Sequence, residues 1–588
     1  MSDVAAVMMA VSAALGAWTA RPVPLWLAVV AAMVAAARRW PMLLWLAVAL
    51  AASAFAARSW SGLHPVAVGD WSGSTTLVSD PAPTPDGSGA LAFVTRVRGK
   101  RLQATVRGPT AGLLRDRLAG ETIAVDGRVS ALPRLPVAVR RQLAARHVAG
   151  RLSIRGVSGR SPATGAAGVA NGLRRTLVRG ASSLPAERRA LFTGFVLGDD
   201  RGQRPDVVAD FRASGLAHLL VVSGENVAFV LALAAPLLGR MPLGMRLAAG
   251  LATLGLFGAL TRWEPSVLRA EAMAAIGLVA IVLGRPVSAI RLLALAVTGL
   301  LLVDPLLVGS IGFLLSVGAS AGIALLAKPL TDALPGPRPI ATAAAVTIAA
   351  QIGVAPAFLP AFGGLPVATL PANLVALPAA GPVMMWGLAA GVPAGFVGGP
   401  VARLLHVPTA LAVGWVAGVA SVAARLPLGQ LRGPHLAVLA MAAVAVIVTA
   451  RHRRRRLTAL ALVVGLGAIA EPGVVLAVDT AHAHATSGAP ITSGATLWRL
   501  DGAVVLLVDR ARPADVLTGL RARSVDHVDL LLFAGGGSPA AEIGRGIRVG
   551  RAERATRGDS FAVGSVSVTI GDRAGPLTVT VVPMSEPP

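Results

Sequence analysis

The feature that most constrains this chain is a nearly unbroken succession of apolar segments between residues 191 and 470, separated only by short loops of Gly, Pro and Arg. Such a run is accommodated when backbone N–H and C=O groups are satisfied inside helices that cross hydrocarbon, each needing about 20 apolar residues. Ten spans are expected, at approximately 216–236, 244–261, 266–284, 288–303, 307–327, 340–360, 366–392, 404–424, 434–450 and 456–470. The stretch 366–392 contains Pro371, Pro378 and Pro382 and is open to a broken or re-entrant reading, which is tolerated where protein encloses a cavity. Three more apolar stretches, 4–19, 24–37 and 41–57, open the chain. The first lacks the basic start of a cleavable signal peptide and runs straight into further apolar sequence, so 1–57 reads as N-terminal membrane helices. Composition agrees: 14% of the residues are charged, against about a quarter in soluble domains, and mean hydropathy is +0.69. Cysteine is absent, which excludes disulfides, thiolate chemistry and Cys-ligated metals.

Residues 58–165 differ in character. Short alternating runs, Leu91-Ala92-Phe93-Val94-Thr95-Arg96-Val97, Leu102-Gln103-Ala104-Thr105-Val106 and Thr122-Ile123-Ala124-Val125, are divided by Gly, Pro and Asp turns, the pattern of a small antiparallel β domain. From Arg58 through Arg179 there are 19 basic residues against six acidic ones, so about half of the chain's net charge of +25 is concentrated here. A solvated surface rich in Arg is one reading; contact with nucleic-acid phosphates is the other, with Arg98, Lys100, Arg101, Arg140, Arg141 and Arg146 as candidates. Trp60, Trp71 and Phe93 are its few aromatics, which favours backbone tracking over base stacking.

Short cytoplasmic loops carry excess Lys and Arg. Arg38, Arg39 and the cluster Arg451-His452-Arg453-Arg454-Arg455-Arg456 are therefore set inside. The basic domain then lies outside, and nine spans bring the chain back in at Arg451. Arg240, Arg246, Arg285, Arg291, Lys328 and Arg338 fall inside and Asp304 outside; Arg425 and Arg432 fall outside, against the rule. The last span carries the tail, 471–588, outside as well. Strands are expected in it at 502–508, 528–533, 563–570 and 577–582, with a helix around 513–523, and its charge is close to neutral.

The densest polar cluster in an apolar setting runs Phe211-Arg212-Ala213-Ser214-Gly215-Leu216-Ala217-His218-Leu219-Leu220-Val221-Val222-Ser223-Gly224-Glu225-Asn226. Ionisable groups entering a span mark a path or a site, although His218 and Ser223 also suit plain interhelical hydrogen bonds. A Ser/His nucleophile is disfavoured because no G-x-S-x-G elbow surrounds Ser223. Arg269 and Glu271, two residues apart, face different sides of a helix. Arg269 is thus open to two roles: facing a watery path where a phosphate passes, or pairing with Glu225 or Glu271 as structural glue.

These motifs, in this order, resemble the ComEC-type competence family, the membrane channels of DNA uptake in natural transformation. The resemblance rests on Leu197-Gly198-Asp199-Asp200-Arg201, on Gly215 through Gly224, on Ser266-Val267-Leu268-Arg269-Ala270-Glu271-Ala272-Met273, and on Gly284-Arg285 and Asp304-Pro305. It continues through Gly312-Phe313-Leu314-Leu315-Ser316-Val317-Gly318-Ala319, Gln351-Ile352-Gly353-Val354-Ala355-Pro356 and Pro371-Ala372-Asn373-Leu374. Where the commonest family form continues Ser-Gly with Leu-His, this chain has Glu225-Asn226. The resemblance implies a polytopic α-helical membrane protein with an extracytoplasmic OB-like β domain at 58–165. It further implies a multi-span channel domain at 166–470 and a metallo-β-lactamase-like α/β domain at 471–588. It also implies single-stranded DNA as the cargo, with a DNA receptor outside and a helicase-like motor in the cytoplasm. On this reading His218, Ser223, Gly224, Asn226, Arg269, Ser316, Gln351 and Asn373 line the path, Ser320 beside them, in the cytoplasmic membrane.

The tail departs from that family. Its strand Val528-Asp529-Leu530-Leu531-Leu532-Phe533 runs into Ala534-Gly535-Gly536-Gly537 where H-x-H-x-D-H would stand, and no histidine follows His527. His482-Ala483-His484, near Asp479, precedes the strands in a Ser/Gly-rich linker. The expectation is a degenerate, non-enzymatic remnant with no cofactor or metal. No G-x-x-x-x-G-K-[ST] loop is present, so energy comes from another protein. The competing readings are a secondary transporter or flippase, for which Glu225 and Glu271 are the available buried carboxylates, and a membrane-bound DNA nuclease.

Overall fold

The computed structural model describes residues 2–65, 68–84, 89–451, 455–481, 485–500, 502–509, 511–534, 538–571 and 579–583. Three helices open the chain, Asp3–Thr19, Leu25–Arg38 and Pro41–Ser61. The first and third touch at backbone distance, because Gly16 presents no Cβ to the carbonyl of Ala49. The Ser53 hydroxyl then ties the Arg21 turn to the third helix by accepting from the Arg21 N–H at 2.9 Å.

Alternation of apolar and polar residues yields six strands: β1 (Gly69–Leu77), β2 (Ala82–Pro83), β3 (Leu91–Val97), β4 (Lys100–Val106), β5 (Thr122–Ser130) and β6 (Val148–Ser161). Hydrogen bonding runs β1-β5-β6-β4-β3 and returns to β1, closing a five-stranded barrel with β2 attached to β3. The β4–β6 contact is parallel and the others antiparallel. Inward-facing Leu77, Phe93, Leu102, Ile123, Val125 and Leu152 fill it. Closure removes the unpaired strand edges that would otherwise recruit other chains. The helix Gly165–Gly180 that follows carries charges on an amphipathic face, which the sequence pattern does not announce.

Among the described residues eight helices are long and apolar enough to cross a membrane, and five shorter apolar helices accompany them. The chain is therefore a polytopic helical membrane protein. Three expected spans are redrawn. The segment expected at 216–236 becomes helical only at Gly224–Leu238; Gly215, at φ +77°, turns the chain, and a 3-10 turn at Ala217–Leu219 intervenes. The proline-rich stretch is one continuous helix, Thr369–Val397, not a broken one. Pro378 leaves the Leu374 carbonyl without its helical donor, and the Trp415 indole donates to the adjacent Val375 carbonyl at 2.9 Å. The last span, Arg455–Ala481, runs past the expected boundary at 471, and the tail's sheet begins at Ala485.

Helices Ile311–Ala333 and Arg338–Phe362 pack closest, since Gly318, Gly322 and Gly353 each face backbone of the partner helix. Lipid offers no hydrophobic drive between helices, so such close approach is what holds them. This antiparallel pair also sets the polarity of the layer. The Gly309 end of the first helix abuts Arg141 of the barrel, so Phe362 of the second lies on the barrel side. From there Leu365 and Pro366 pair with Leu431 and Gln430, and Gly429 lies against Pro472 in the helix leading to the tail. Barrel and tail thus sit on one face of the helical layer.

The tail is a five-stranded sheet ordered 548–554, 527–533, 503–508, 495–500, 485–492. Helices Pro513–Arg521 and Ser538–Gly546 cover one side, and a three-stranded sheet carrying Val566, Val568, Ile570 and Val581 covers the other. The expected strand at 502–508 and that at 528–533 are present, the two antiparallel strands before them are additional, and 577–582 lies partly outside the described residues.

The seam between barrel and helical layer is ionic. Arg174, 2% exposed, donates to the Leu197 carbonyl at 2.8 Å and the Leu260 carbonyl at 2.5 Å. The same guanidinium pairs with Asp80 of the barrel at 3.0 Å and Asp199 at 3.4 Å. Arg262 reaches Asp80 at 2.9 Å and Asn171 at 2.9 Å, and Arg201 grips Asp199 at 2.6 Å. Burial pulls the Arg174 pKa down to about 10, leaving it charged. A second contact joins His147 to Asp304 at 2.8 Å. Asp200 and Glu264 beside this seam are exposed to solvent, yet burial raises both carboxyl pKa values. The Asp199 charge adds to the rise of Asp200, and Asp200 to that of Glu264, against the pull of Arg146. Both carboxyls therefore lie within reach of the Arg146 charge of the barrel.

Removing one partner of a buried ion pair strands the other, at about 3–5 kcal/mol. Arg174→Ala is expected to lower the thermal unfolding midpoint of the purified protein and to speed tryptic release of the barrel. For these two carboxyls, folded-state pKa values above the unfolded ones mean that stability is fully present below the ordinary carboxylate range, about pH 4, and lost as pH rises through the raised values. Asp200→Asn combined with Glu264→Gln should flatten the fall in thermal midpoint between about pH 4 and pH 7, measured in a pH series against the parent protein.

Candidate functional site

The sequence cluster converges where helix Gly224–Leu238 begins and helix Pro265–Val282 passes it. Pro265 fixes the first turn of the latter. Before it, Arg262 at φ +61° and Trp263 at φ +55° reverse the chain in a conformation that L residues adopt at a cost of about 1–3 kcal/mol each. The reversal is held by the Asp80 and Asn171 bonds to Arg262 at the seam. Ser266 then donates to the Val222 carbonyl at 3.1 Å, fixing the loop ahead of Gly224 against this helix.

One turn further in, Arg269, 7% exposed, lays its guanidinium against Gly224. A Cβ at 224 would collide with its Nη2 and stand 3.1 Å from the Ala270 Cβ, which accounts for the glycine. Nε donates to the Ser316 hydroxyl at 2.7 Å and Nη1 contacts the Met273 sulfur at 3.0 Å. Among the described residues no carboxylate pairs with Arg269: Glu225 is exposed, and Glu271 turns toward Gly258 on the other side of the helix. The structural-glue alternative is thus not the arrangement found. A guanidinium has five donors, and the two contacts above leave several for another acceptor.

The first N–H groups of a helix have no intrahelical partner and carry a partial positive charge. At Gly224–Leu238 the Ser223 side chain provides no cap; its hydroxyl is 3.5 Å from Asn226 Oδ1. Asn226 Nδ2 reaches back to the Phe195 carbonyl at 2.9 Å, so Asn226 anchors the helix start to the buried helix Ala186–Leu197. Ser223, Gly224, Asn226, Arg269 and Ser316 are thereby gathered into one anion-attracting group within the helical layer.

The remaining candidates lie apart from it. His218 is exposed in its 3-10 turn. Gln351 sits on the helix packed against Ser316's helix, with Nε2 buried and unpartnered, and Asn373, in the proline-rich helix, has an unpartnered Oδ1. Ser320 lies on the same helix as Ser316. Glu271 is 6% exposed with both oxygens unpartnered, a feature that its sequence context does not reveal. His406 and Thr409, likewise buried and unpartnered, carry no sequence signal.

On the barrel, several of the expected DNA-binding side chains are engaged elsewhere. Arg141 stacks on Trp18 at 3.6 Å and Arg140 lies 5.6 Å from the Trp60 ring, fastening the helix Val137–Ala145 to the N-terminal helices. Lys100 donates to the Gly62 carbonyl at 2.7 Å. Arg101 donates to the Arg146 carbonyl at 3.4 Å and stands opposite Arg96 across the β3–β4 pair. Arg98, at φ +46° in the hairpin turn, and Arg146 are exposed. Exposed Arg128 and Arg151 on β5 and β6 escape a sequence reading, because alternation alone does not say which strands become neighbours. In the tail, no group of three or more His, Asp or Glu residues suited to a metal occurs among the described residues. The residues 482–484 and 535–537 lie outside them.

Neither a curated protein nor a solved structure matches this chain. Residues 195–456 match the family model described as Competence protein. The match takes in the Gly224–Arg269–Ser316 group and the helices that hold it, and it supports a ComEC-type competence family for this membrane segment of the chain.

Proposed function

We propose that the chain conducts single-stranded DNA across the cytoplasmic membrane, with the Gly224–Arg269–Ser316 group as a point where strand phosphates are met. The observation that carries this reading is a buried arginine with no carboxylate partner among the described residues, set against an uncapped helix N-terminus. An unpaired guanidinium inside a membrane protein is costly unless it serves a path, and its planar donors suit phosphate. The competence family supports DNA as cargo.

The barrel's strand order, with a parallel closing contact between β4 and β6, supports an OB-like reading, a fold whose second and third strands often face nucleic acid. Here β3 and β4 carry Arg96 and Arg101, and the turn between them Arg98. We place this barrel outside, on the face of the helical layer that it covers, so that a strand collected on its basic surface reaches the helical layer there. The tail's mixed sheet, with helices on one side and a second sheet on the other, supports a metallo-β-lactamase-like reading, and Ala534-Gly535-Gly536-Gly537 in place of the ligand motif is our ground for proposing a remnant without nuclease activity. Driving force falls to a cytoplasmic helicase-like motor, and delivery to an external DNA receptor.

Glu271 favours a second reading, a proton- or ion-coupled transporter, since its carboxyl is buried without a partner. The two readings part on one measurement. Arg269→Ala should abolish entry of labelled DNA into the cytoplasm of a naturally transformable host while the protein still reaches the membrane, and Arg269→Lys should retain part of it. Wild-type entry in the Ala variant would overturn the conduit. On the barrel, Arg98→Glu with Arg101→Glu should weaken single-strand binding most at low salt and lower the salt slope by about 0.7 for each phosphate no longer neutralised, read by titration at several salt concentrations.

A further inference from the structure

A cavity beside the helical layer lies between helix Val407–Arg425 and the tail, far in sequence from the group around Arg269. It has a volume of about 320 Å³, and its polar lining is Asp206, Asp210, Ser421, Arg425, Arg521 and Arg545. Three separate parts of the chain supply it: the helix Pro205–Ala213, the end of helix Val407–Arg425, and the two tail helices Pro513–Arg521 and Ser538–Gly546. The site is complete only when the tail is docked.

Its charges sort into two sets. Asp206 is held by Arg204 at 2.6 Å. Asp210 is held by Arg521 at 3.0 Å and by the Ser421 hydroxyl. Arg521 is in turn fixed by donating to the Gly546 carbonyl at 2.8 Å, and Arg212 pairs with Asp515 at 2.6 Å just outside. The carboxylates are thus already matched. Arg425 and Arg545 remain: both are exposed and line the cavity, and neither forms an ion pair among the described residues, Arg425 acting on Asp210 only through its charge at longer range. Two guanidinium groups from different parts of the chain line this one cavity, and their planar donors suit a phosphate.

We propose that this junction binds a phosphate-bearing ligand of mononucleotide or lipid-headgroup size, bridging Arg425 of the membrane domain to Arg545 of the tail. Such a ligand makes tail docking dependent on its presence and gives a tail without nuclease chemistry a binding role. It also explains why Arg425 stands on the face where the positive-inside pattern does not expect it: its partner is the tail cavity. The inference goes beyond the conduit reading and does not require it.

The test uses the full-length protein in phosphatidylcholine nanodiscs, titrated calorimetrically with thymidine monophosphate and with inorganic phosphate. A second arm replaces part of the lipid with phosphatidylglycerol and counts retained headgroups by native mass spectrometry. Saturable binding in either arm is expected, weakened about tenfold or more by Arg425→Glu and by Arg545→Glu, and unchanged by Arg240→Glu at the opposite face. Should either variant fail to fold, Arg425→Gln and Arg545→Gln give the same comparison without charge reversal. Binding in the nucleotide arm alone identifies a soluble ligand, and in the lipid arm alone a headgroup. No saturable binding in either arm, or binding that both substitutions leave intact, overturns the proposal.

Discussion

The arrangement depends on one buried guanidinium. Arg174 accepts no substitute geometry: it closes two helix ends through the Leu197 and Leu260 carbonyls while holding Asp80 of the barrel and Asp199 of the membrane domain. Buried ion pairs contribute little net stability, because desolvation offsets their attraction. What this one contributes is register. Asp80 is a loop residue between β1 and β2, and fixing it fixes where a closed barrel rests over the helix ends. The left-handed residues Arg262 and Trp263 are stabilised by the same node, so the entry angle of helix Pro265–Val282, and with it the position of Arg269, follows from a contact on the surface of the layer.

Much of this architecture is legible in the residues. Helical spans announce themselves because every backbone group in hydrocarbon must be bonded within its own segment, which forces long apolar runs. Strands β3, β4 and β5 announce themselves by period-two alternation. What alternation does not give is the closure of β1 onto β3 and the parallel meeting of β4 with β6, which are pairings between distant segments. The segment 216–223 misleads because it is apolar enough for lipid but is bent by Gly215, with Leu216, Leu220 and Val222 packed into the protein core. The proline-rich helix misleads in the other direction: its prolines are tolerated because Trp415 and neighbouring helices cover the exposed backbone.

The candidate site is partly legible for a related reason. Gly224, Arg269 and Ser316 stand in three separate motifs, and only packing unites them, through the missing Cβ of the glycine. The basic residues of the barrel are harder to sort. Charge counts do not distinguish an arginine that faces solvent from one, such as Arg141, whose guanidinium lies flat on an indole. That distinction rests on where the helix Val137–Ala145 is docked, a tertiary fact.

The glycine contact between helices Ile311–Ala333 and Arg338–Phe362 has a mechanical consequence. With Gly318, Gly322 and Gly353 placing backbone against backbone, no layer of side chains remains between the two helices to be compressed or sheared. The pair moves as a single stiff stave. In the proposed conduit, widening therefore falls to the contact where helix Pro265–Val282 meets the start of helix Gly224–Leu238, which the side chain of Arg269 fills.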